Sequence, residues 1–206
     1  MPIEIKLFFS SKPVLIQTKR LNIRLPCRKD FEDWVIIRRN SEEFLIPWEP
    51  EITRNFYSLR NFRARVKWAK ASFRDKKAVS FFIFTKFDDV LVGSITLDNI
   101  RKGSSQSASI GYWIGYNFAR NGFMTEALLA IISYGFRKLE LSRLEAATLP
   151  ENTPSRRLLE RTGFKYEGIA QSYIQINGRW RNHVMYSMLR DDRRGRIENM
   201  GSKNEG

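Results

Sequence analysis

The sequence predicts an α/β (α+β) domain: a mixed, mostly antiparallel sheet of about seven strands with one parallel pair, flanked by about four helices. Three observations predict it. Stretches of β-branched and aromatic residues with period two alternate along the chain with stretches whose apolar residues recur every three or four positions. Three strand-like runs follow one another directly between Val79 and Ile114, which favours an antiparallel meander. One helical stretch then separates the third run from a strand at Leu144, and such a connection favours a right-handed crossover between parallel strands.

Leu21-Asn22-Ile23-Arg24-Leu25 alternates apolar and polar residues as a half-buried strand does, and Pro26 closes it. Asp30 to Arg39 has the spacing of a short amphipathic helix through Phe31, Trp34 and Val35. Pro47 and Pro50 hold Trp48 and Glu49 in a loop. From Asn55 to about Lys76, Leu59, Phe62, Val66, Ala69 and Phe73 mark the buried face of a long helix. Val79–Thr85, Val90–Leu97 and Ser107–Ile114 are the meander strands, the first two joined by an acidic turn at Asp88-Asp89. Glu126 to Lys138 is a helix with an apolar face at Ala127, Leu128, Ile131, Ile132 and Gly135. Leu144–Leu149 is a strand, and Thr153-Pro154 opens a helix as a hydroxyl cap followed by proline, which Thr162-Gly163 stops. Phe164–Ile176 and His183–Leu189 are strands joined through Asn177-Gly178, a strong hairpin signal. The expected domain spans residues 18–189, with an N-terminal extension at 1–17 and a disordered tail at 190–206.

Composition narrows the classes of function. Of 206 residues 42% are hydrophobic, far too many for a disordered chain, and no stretch is long and apolar enough to span a membrane. One cysteine, Cys27, and one histidine, His183, cannot furnish a disulfide or the usual zinc ligands, so a cytoplasmic protein without metal is expected. Cys27 reads as a small, half-buried residue and His183 as a hydrogen-bonded residue on a strand. The formal charge of +14 calls for polyanionic partners. More than half of it sits in residues 54–77, where nine basic residues face Asp75 alone. On a helix this is either a solvated face or a polyanion-binding one.

Three segments carry the chemistry: Gly111-Tyr112-Trp113-Ile114-Gly115, Ala119-Arg120-Asn121-Gly122-Phe123-Met124-Thr125-Glu126, and Pro150-Glu151-Asn152-Thr153-Pro154-Ser155. Taken singly, the second reads as a turn before a helix and the third as helix capping. A loop entering a helix nevertheless offers free N–H groups and the positive end of the helix dipole to phosphate oxygens. In their order along the chain, the three segments resemble the GCN5-related N-acetyltransferase (GNAT) superfamily, in particular its ribosomal-protein-alanine N-acetyltransferase branch. The resemblance covers roughly Thr18 to Leu189 and extends to Thr18-Lys19-Arg20-Leu21, to Arg143-Leu144-Glu145-Ala146 and to Asn177-Gly178-x-Trp180.

The resemblance implies a sheet splayed at its parallel pair and acetyl-coenzyme A as cosubstrate. Arg120, Asn121, Gly122, Phe123, Met124 and Thr125 would hold its pyrophosphate through backbone N–H groups. Backbone groups near Ile114 and the side chain of Asn152 would hold the pantetheine arm. Ser155 would protonate the departing thiolate, as the one assigned catalytic residue. Relatives often carry Ala-Glu-Ile-Gly-Tyr where this chain has Ala108-Ser109-Ile110-Gly111-Tyr112, so the usual acid is replaced by Ser109. Asp98, Glu145, a water chain and an acceptor amine that is already neutral stay open as alternatives for deprotonation. Ala119 and Met124 also depart from the usual phosphate loop, and Asn182 stands where relatives commonly have Asp. Tyr112 and Trp113 read as core aromatics or as cleft walls, and Trp48 as part of an acceptor entrance. The acceptor implied is the N-terminal alanine of a ribosomal protein, with ribosomal RNA as a further partner of residues 54–77. An alternative from another class is a noncatalytic RNA- or ribosome-binding module of the same fold.

Overall fold

Strands buried on both faces must lie between two layers, and the middle of the sheet here is covered on both sides. In the computed structural model, which describes residues 5–6 and 15–190, nine strands form one sheet. They are β1 (Ile5–Lys6), β2 (Leu15–Gln17), β3 (Leu21–Arg24), β4 (Val79–Thr85), β5 (Leu91–Asp98), β6 (Ser107–Ile114), β7 (Arg143–Thr148), β8 (Lys165–Ile176) and β9 (Arg179–Leu189). Their order in the sheet is β1-β2-β3-β4-β5-β6-β7-β9-β8, and only β6 and β7 run parallel. The seven expected strands are present. The additional two are the short β1 and β2 at one edge, whose two and three residues show no period, and β2 lies inside the stretch expected to be an extension. The expected tail beyond Arg190 lies outside the described residues.

The helices are α1 (Phe31–Arg39), α2 (Glu42–Leu45), α3 (Leu59–Arg74), α4 (Phe123–Arg137) and α5 (Thr153–Arg161). The single-turn α2 was not expected. The long helix begins four residues later than its apolar pattern suggested, because Ser58 caps it by accepting the N–H of Asn61. Asn152, not Thr153, is the N-cap of α5: its Oδ1 accepts the N–H of Ser155, and Pro154 falls at the second helical position. The two residues are alike as caps, and the sequence does not say which one leaves the helical conformation first.

One layer packs α4 and α5 on the sheet through Ala127, Leu128, Ile131, Leu158 and Leu159 against Phe81, Ile95, Leu97, Leu144, Ala146 and Tyr186. The other packs α1 and α3 through Trp34, Ile37, Phe62 and Val66 against Phe82, Phe84 and Leu91. Alternation along β6 sends Tyr112 to the first layer and Trp113 to the second. The β8–β9 hairpin turns at Asn177-Gly178, both at positive φ as a two-residue hairpin loop requires. Its tip crosses to the α1 side, where the N–H of Asn177 donates to the carbonyl of Glu49 at 3.1 Å.

Leu144 is fully buried where α4 crosses the parallel pair, beneath Gly135. Leu144→Ala is expected to cost about 2–5 kcal/mol, whereas Val90→Ala in the exposed turn between β4 and β5 stays within about 0.5 kcal/mol. Urea unfolding of both variants checks this.

Candidate active site

β6 and β7 pair for four residues, from Ser107 opposite Arg143 to Ile110 opposite Ala146, and then separate. Beyond that point Ala147 and Thr148 pair only with β9, and Gly111 to Ile114 only with β5. The N–H of Gly115 donates to the carbonyl of Val92 in β5, at 2.9 Å. By alternation, Ile114 and Tyr112 turn their backbone N–H and C=O groups the other way, into the gap that β7 leaves. These groups have no strand partner there among the described residues and can pair with an extended ligand.

At the same end of the sheet lies the start of α4. Gly122 is its N-cap, at φ 75, and no side chain caps the helix. The first-turn N–H groups of Phe123, Met124 and Thr125 are therefore left for an anion, in contrast to α3 and α5 with their Ser58 and Asn152 caps. Arg120, also at positive φ (62°), is exposed beside them, as is Asn121. The side chain of Met124 is buried in the core, so only its backbone faces the cradle. A Cβ on Gly122 would come within 3.3 Å of the Arg20 guanidinium.

Arg20, which the sequence offers only as part of the Thr18–Leu21 match and without a role, organises this cradle. Its Nε donates to Glu126 at 2.7 Å, its backbone N–H to the same carboxylate at 2.8 Å, and its Nη1 to the carbonyl of Asn121 at 2.9 Å. The guanidinium also lies 4.7 Å from the centre of the Phe123 ring. The Thr18 hydroxyl donates to Glu126 as well, at 2.6 Å. Burial pushes the Glu126 carboxyl up, but the hydrogen bonds from Thr18 and from Arg20, together with the Arg20 charge, outweigh it and hold the carboxyl below its ordinary 4.5.

Across the gap, the hydroxyls of Tyr112 and Ser155 meet at 2.8 Å. Ser155 stands in the first turn of α5, held through its N–H by Asn152 Oδ1. The amide NH2 of Asn152 makes no hydrogen bond among the described residues and keeps its donors for a ligand. Burial drives the Tyr112 hydroxyl up to about 12, against the opposing effect of its bond to Ser155. It stays protonated throughout the neutral range.

On the α1 and α3 side the gap opens into a cavity of about 470 Å³. Trp34, Phe82, Trp113 and Tyr173 give it aromatic walls, and Ser80, Ser94, Thr96 and Ser109 a floor of hydroxyls. Asp98 and Glu145 both line it, and both stand directly opposite Ser109, one on each neighbouring strand. The acid missing at Ser109 thus has a carboxylate on either side in the same row. Glu145 is paired with Arg143 at 2.7 Å, and Asp98 accepts the N–H of Asn99 at 2.8 Å. The loop contributes Glu49 to the lining instead of the expected Trp48. Glu49 is fixed by a two-pronged pair with buried Arg38, at 2.8 and 2.5 Å.

The remaining candidates do not line the cavity, and His183 packs edge-on behind its Tyr173 wall, ring centres 5.7 Å apart. His183 is buried, with Nδ1 on the carbonyl of Arg181 at 3.0 Å. Cys27 is half-buried beside Asp30, which takes both Arg24 nitrogens at 2.7 and 2.8 Å. Asn182 accepts the N–H of Ser172 at 2.9 Å across an irregularity in the hairpin. Among the described residues no group of three or more His, Cys, Asp or Glu could hold a metal ion, and no helix is long and apolar enough to cross a membrane.

A helix N-terminus without a cap, set beside a parallel pair that parts, is the frame of an acyl-coenzyme A transferase. The family model described as "Acetyltransferase (GNAT) domain" matches residues 20–165. The chain is 31% identical over 179 residues to the ribosomal protein uS5-alanine N-acetyltransferase of Escherichia coli (strain K12), covering 87% of this chain and 92% of that one. Its fold is similar to the structure titled Mycobacterium smegmatis RimJ in complex with CoA-disulfide, with a TM-score of 0.79, 29% identity and coverage of 88% and 89% of the two chains. It is also similar to the ribosomal-protein-S5-alanine acetyltransferase from Vibrio fischeri, with a TM-score of 0.81, 26% identity and coverage of 87% and 98%. The chain belongs to the GNAT acetyltransferase family and is an acetyl-coenzyme A-dependent N-acetyltransferase. The noncatalytic alternative has no support.

Because the folded Glu126 carboxyl is held below 4.5, its clamp contributes fully to stability above that pH and is lost as pH falls through the lowered value. Glu126→Gln is therefore expected to flatten the acid limb of stability against pH, measured by urea unfolding at a series of pH values. Parallel curves for the two proteins would contradict the clamp.

Proposed function

We propose that this enzyme acetylates the N-terminal alanine of a ribosomal protein in the cytoplasm, with residues 18–189 as the acetyltransferase unit. One observation carries the mechanism: the Tyr112–Ser155 pair stands at the junction of the phosphate cradle, the strand gap and the carboxylate-lined cavity. The acceptor assignment is supported by the likeness to uS5-alanine and S5-alanine acetyltransferases over most of both chains.

Acetyl-coenzyme A, when bound, supplies an acetyl thioester. The N–H groups of Arg120 to Thr125 and the positive end of α4 hold its pyrophosphate. Ile114, through its backbone, and Asn152, through its amide, align the pantetheine arm along the gap, so that the sulfur reaches Ser155. Backbone donors on β6 stabilise the charge that develops on the thioester oxygen.

Asp98 and Glu145 attract the acceptor's ammonium into an otherwise basic protein and take up its proton. An α-amine has a reference pKa of about 7.7–8.0, so little driving force is needed. The amine nitrogen then bonds to the acetyl carbon as the carbon–sulfur bond breaks, Ser155 gives its proton to the sulfur, and the proton that the nitrogen sheds on becoming an amide restores the serine hydroxyl. Either hydroxyl of the Tyr112–Ser155 pair can donate to the other; in the reacting arrangement Tyr112, held protonated, is the donor, which leaves the serine hydrogen free to point at the sulfur. Tyr112 is thus a positioning residue and Ser155 the acid.

General acids contribute about 10²–10⁴-fold to such steps. With a peptide that begins with alanine, Ser155→Ala is expected to lower kcat about a hundredfold while the affinity for acetyl-coenzyme A holds. Tyr112→Phe lowers it in the same direction, and the double variant is no slower than Ser155→Ala alone, since residues acting as one unit are not additive. Thiol release gives the rates, and mass spectrometry of the product places the acetyl group on the α-amine. Independent, multiplying losses would contradict the relay, and a peptide left unmodified would contradict the acceptor.

A further inference from the structure

The exposed face of α3 has no role in the reaction above. Its cations Arg60, Arg63, Lys67, Lys70 and Arg74 recur at steps of three, four, three and four residues, which places all five on one stripe of the helix. The adjoining stripe, Phe62, Val66 and Ala69, is buried, with Phe62 and Val66 packed against the sheet. Like charges three and four residues apart repel and destabilise a helix. Among the described residues, only Arg74 has a carboxylate to offset this, at Asp75. Among the described residues, Arg60, Arg63, Lys67 and Lys70 have no ion pair or side-chain hydrogen bond. A row of unpaired charge about 15 Å long, from Arg60 to Lys70 at 1.5 Å per residue, therefore faces solvent. The same helix also supplies Arg65 to the wall of the acceptor cavity.

We propose that this stripe docks the phosphate backbone of RNA and so holds the cavity beside an acceptor on an RNA-containing particle. A regular row of cations without base-reading groups suits a polymer with one charge per unit. A lipid surface fits less well, because the apolar face of α3 is committed to the core, and its exposed Leu59 and Trp68 stand about two and a half turns apart, on opposite sides of the helix, and form no face to insert. The choice of RNA among polyanions rests on the ribosomal acceptor reading, while the docking itself does not need it.

The test is binding of the full chain to labelled single-stranded oligouridine over a salt series, by fluorescence anisotropy. The variant Arg60→Gln, Arg63→Gln, Lys67→Gln, Lys70→Gln is compared with a control of equal charge, Lys86→Gln, Arg101→Gln, Lys102→Gln, Lys138→Gln, which changes exposed cations elsewhere. Each phosphate that a cation no longer neutralises lowers the slope of log K against log salt by roughly 0.7, so the α3 variant is expected to be shallower by about 3. The control keeps the wild-type slope, and both variants acetylate a free alanine-initiated peptide at the wild-type rate. Equal slopes in wild type and α3 variant, or an equal loss in the control, would overturn the proposal, as would binding to phosphatidylglycerol vesicles as tight as to RNA. A shallower α3 slope in an enzyme that leaves the peptide unmodified would uphold the docking surface and overturn the acceptor reading.

Discussion

Everything functional in this molecule depends on a parallel strand pair that is joined at one end and open at the other. Parallel strands cannot be linked by a tight turn, so β6 and β7 require the α4 crossover. That requirement delivers the N-terminus of α4 to the end where the strands part. A ligand with a phosphate-rich head and an extended amide-bearing arm finds helix N–H groups at one point and unpaired strand groups at the next. β7 is drawn away because it continues to pair with β9 through Thr148, while β6 stays with β5 through Ile114.

The two sheet faces then divide the labour. Tyr112 and Ser155 belong to the layer of α4 and α5, whereas Asp98, Ser109 and Glu145 line the cavity under α1 and α3. Charge follows the same division. Cations crowd the outer face of α3, and the cavity wall carries Glu49, Asp98 and Glu145. A basic surface and an acidic interior serve different ends: the first suits a polyanion, the second a cationic amine.

Local order was legible in the residues. Periods of two and of three or four located seven strands and four helices, and Asn177-Gly178 and Thr162-Gly163 marked a hairpin and a helix end by their backbone demands. The strands β1 and β2 escaped because they are too short for a period, and α2 because it is a single turn. The proposed phosphate cradle rests on motif order, since one glycine before a helix says little alone. What could not be read was anything set by register or by contacts distant in sequence. The clamp from Arg20 to Glu126 spans 106 residues, and the Tyr112–Ser155 hydrogen bond spans 43. The carboxylates beside Ser109 become its neighbours only through pairing with β5 and β7, which no local pattern specifies.

The central claim, that the uncapped start of α4 holds the cosubstrate, is tested most directly by calorimetric titration of acetyl-coenzyme A into the wild-type chain and into Gly122→Val, with thermal unfolding of both. A branched side chain there both opposes the positive φ and presses toward Arg20. The account predicts one binding site in the wild type and its loss in the variant, with a cooperative thermal transition in each showing that both are folded. Undiminished binding by a folded Gly122→Val chain would contradict it.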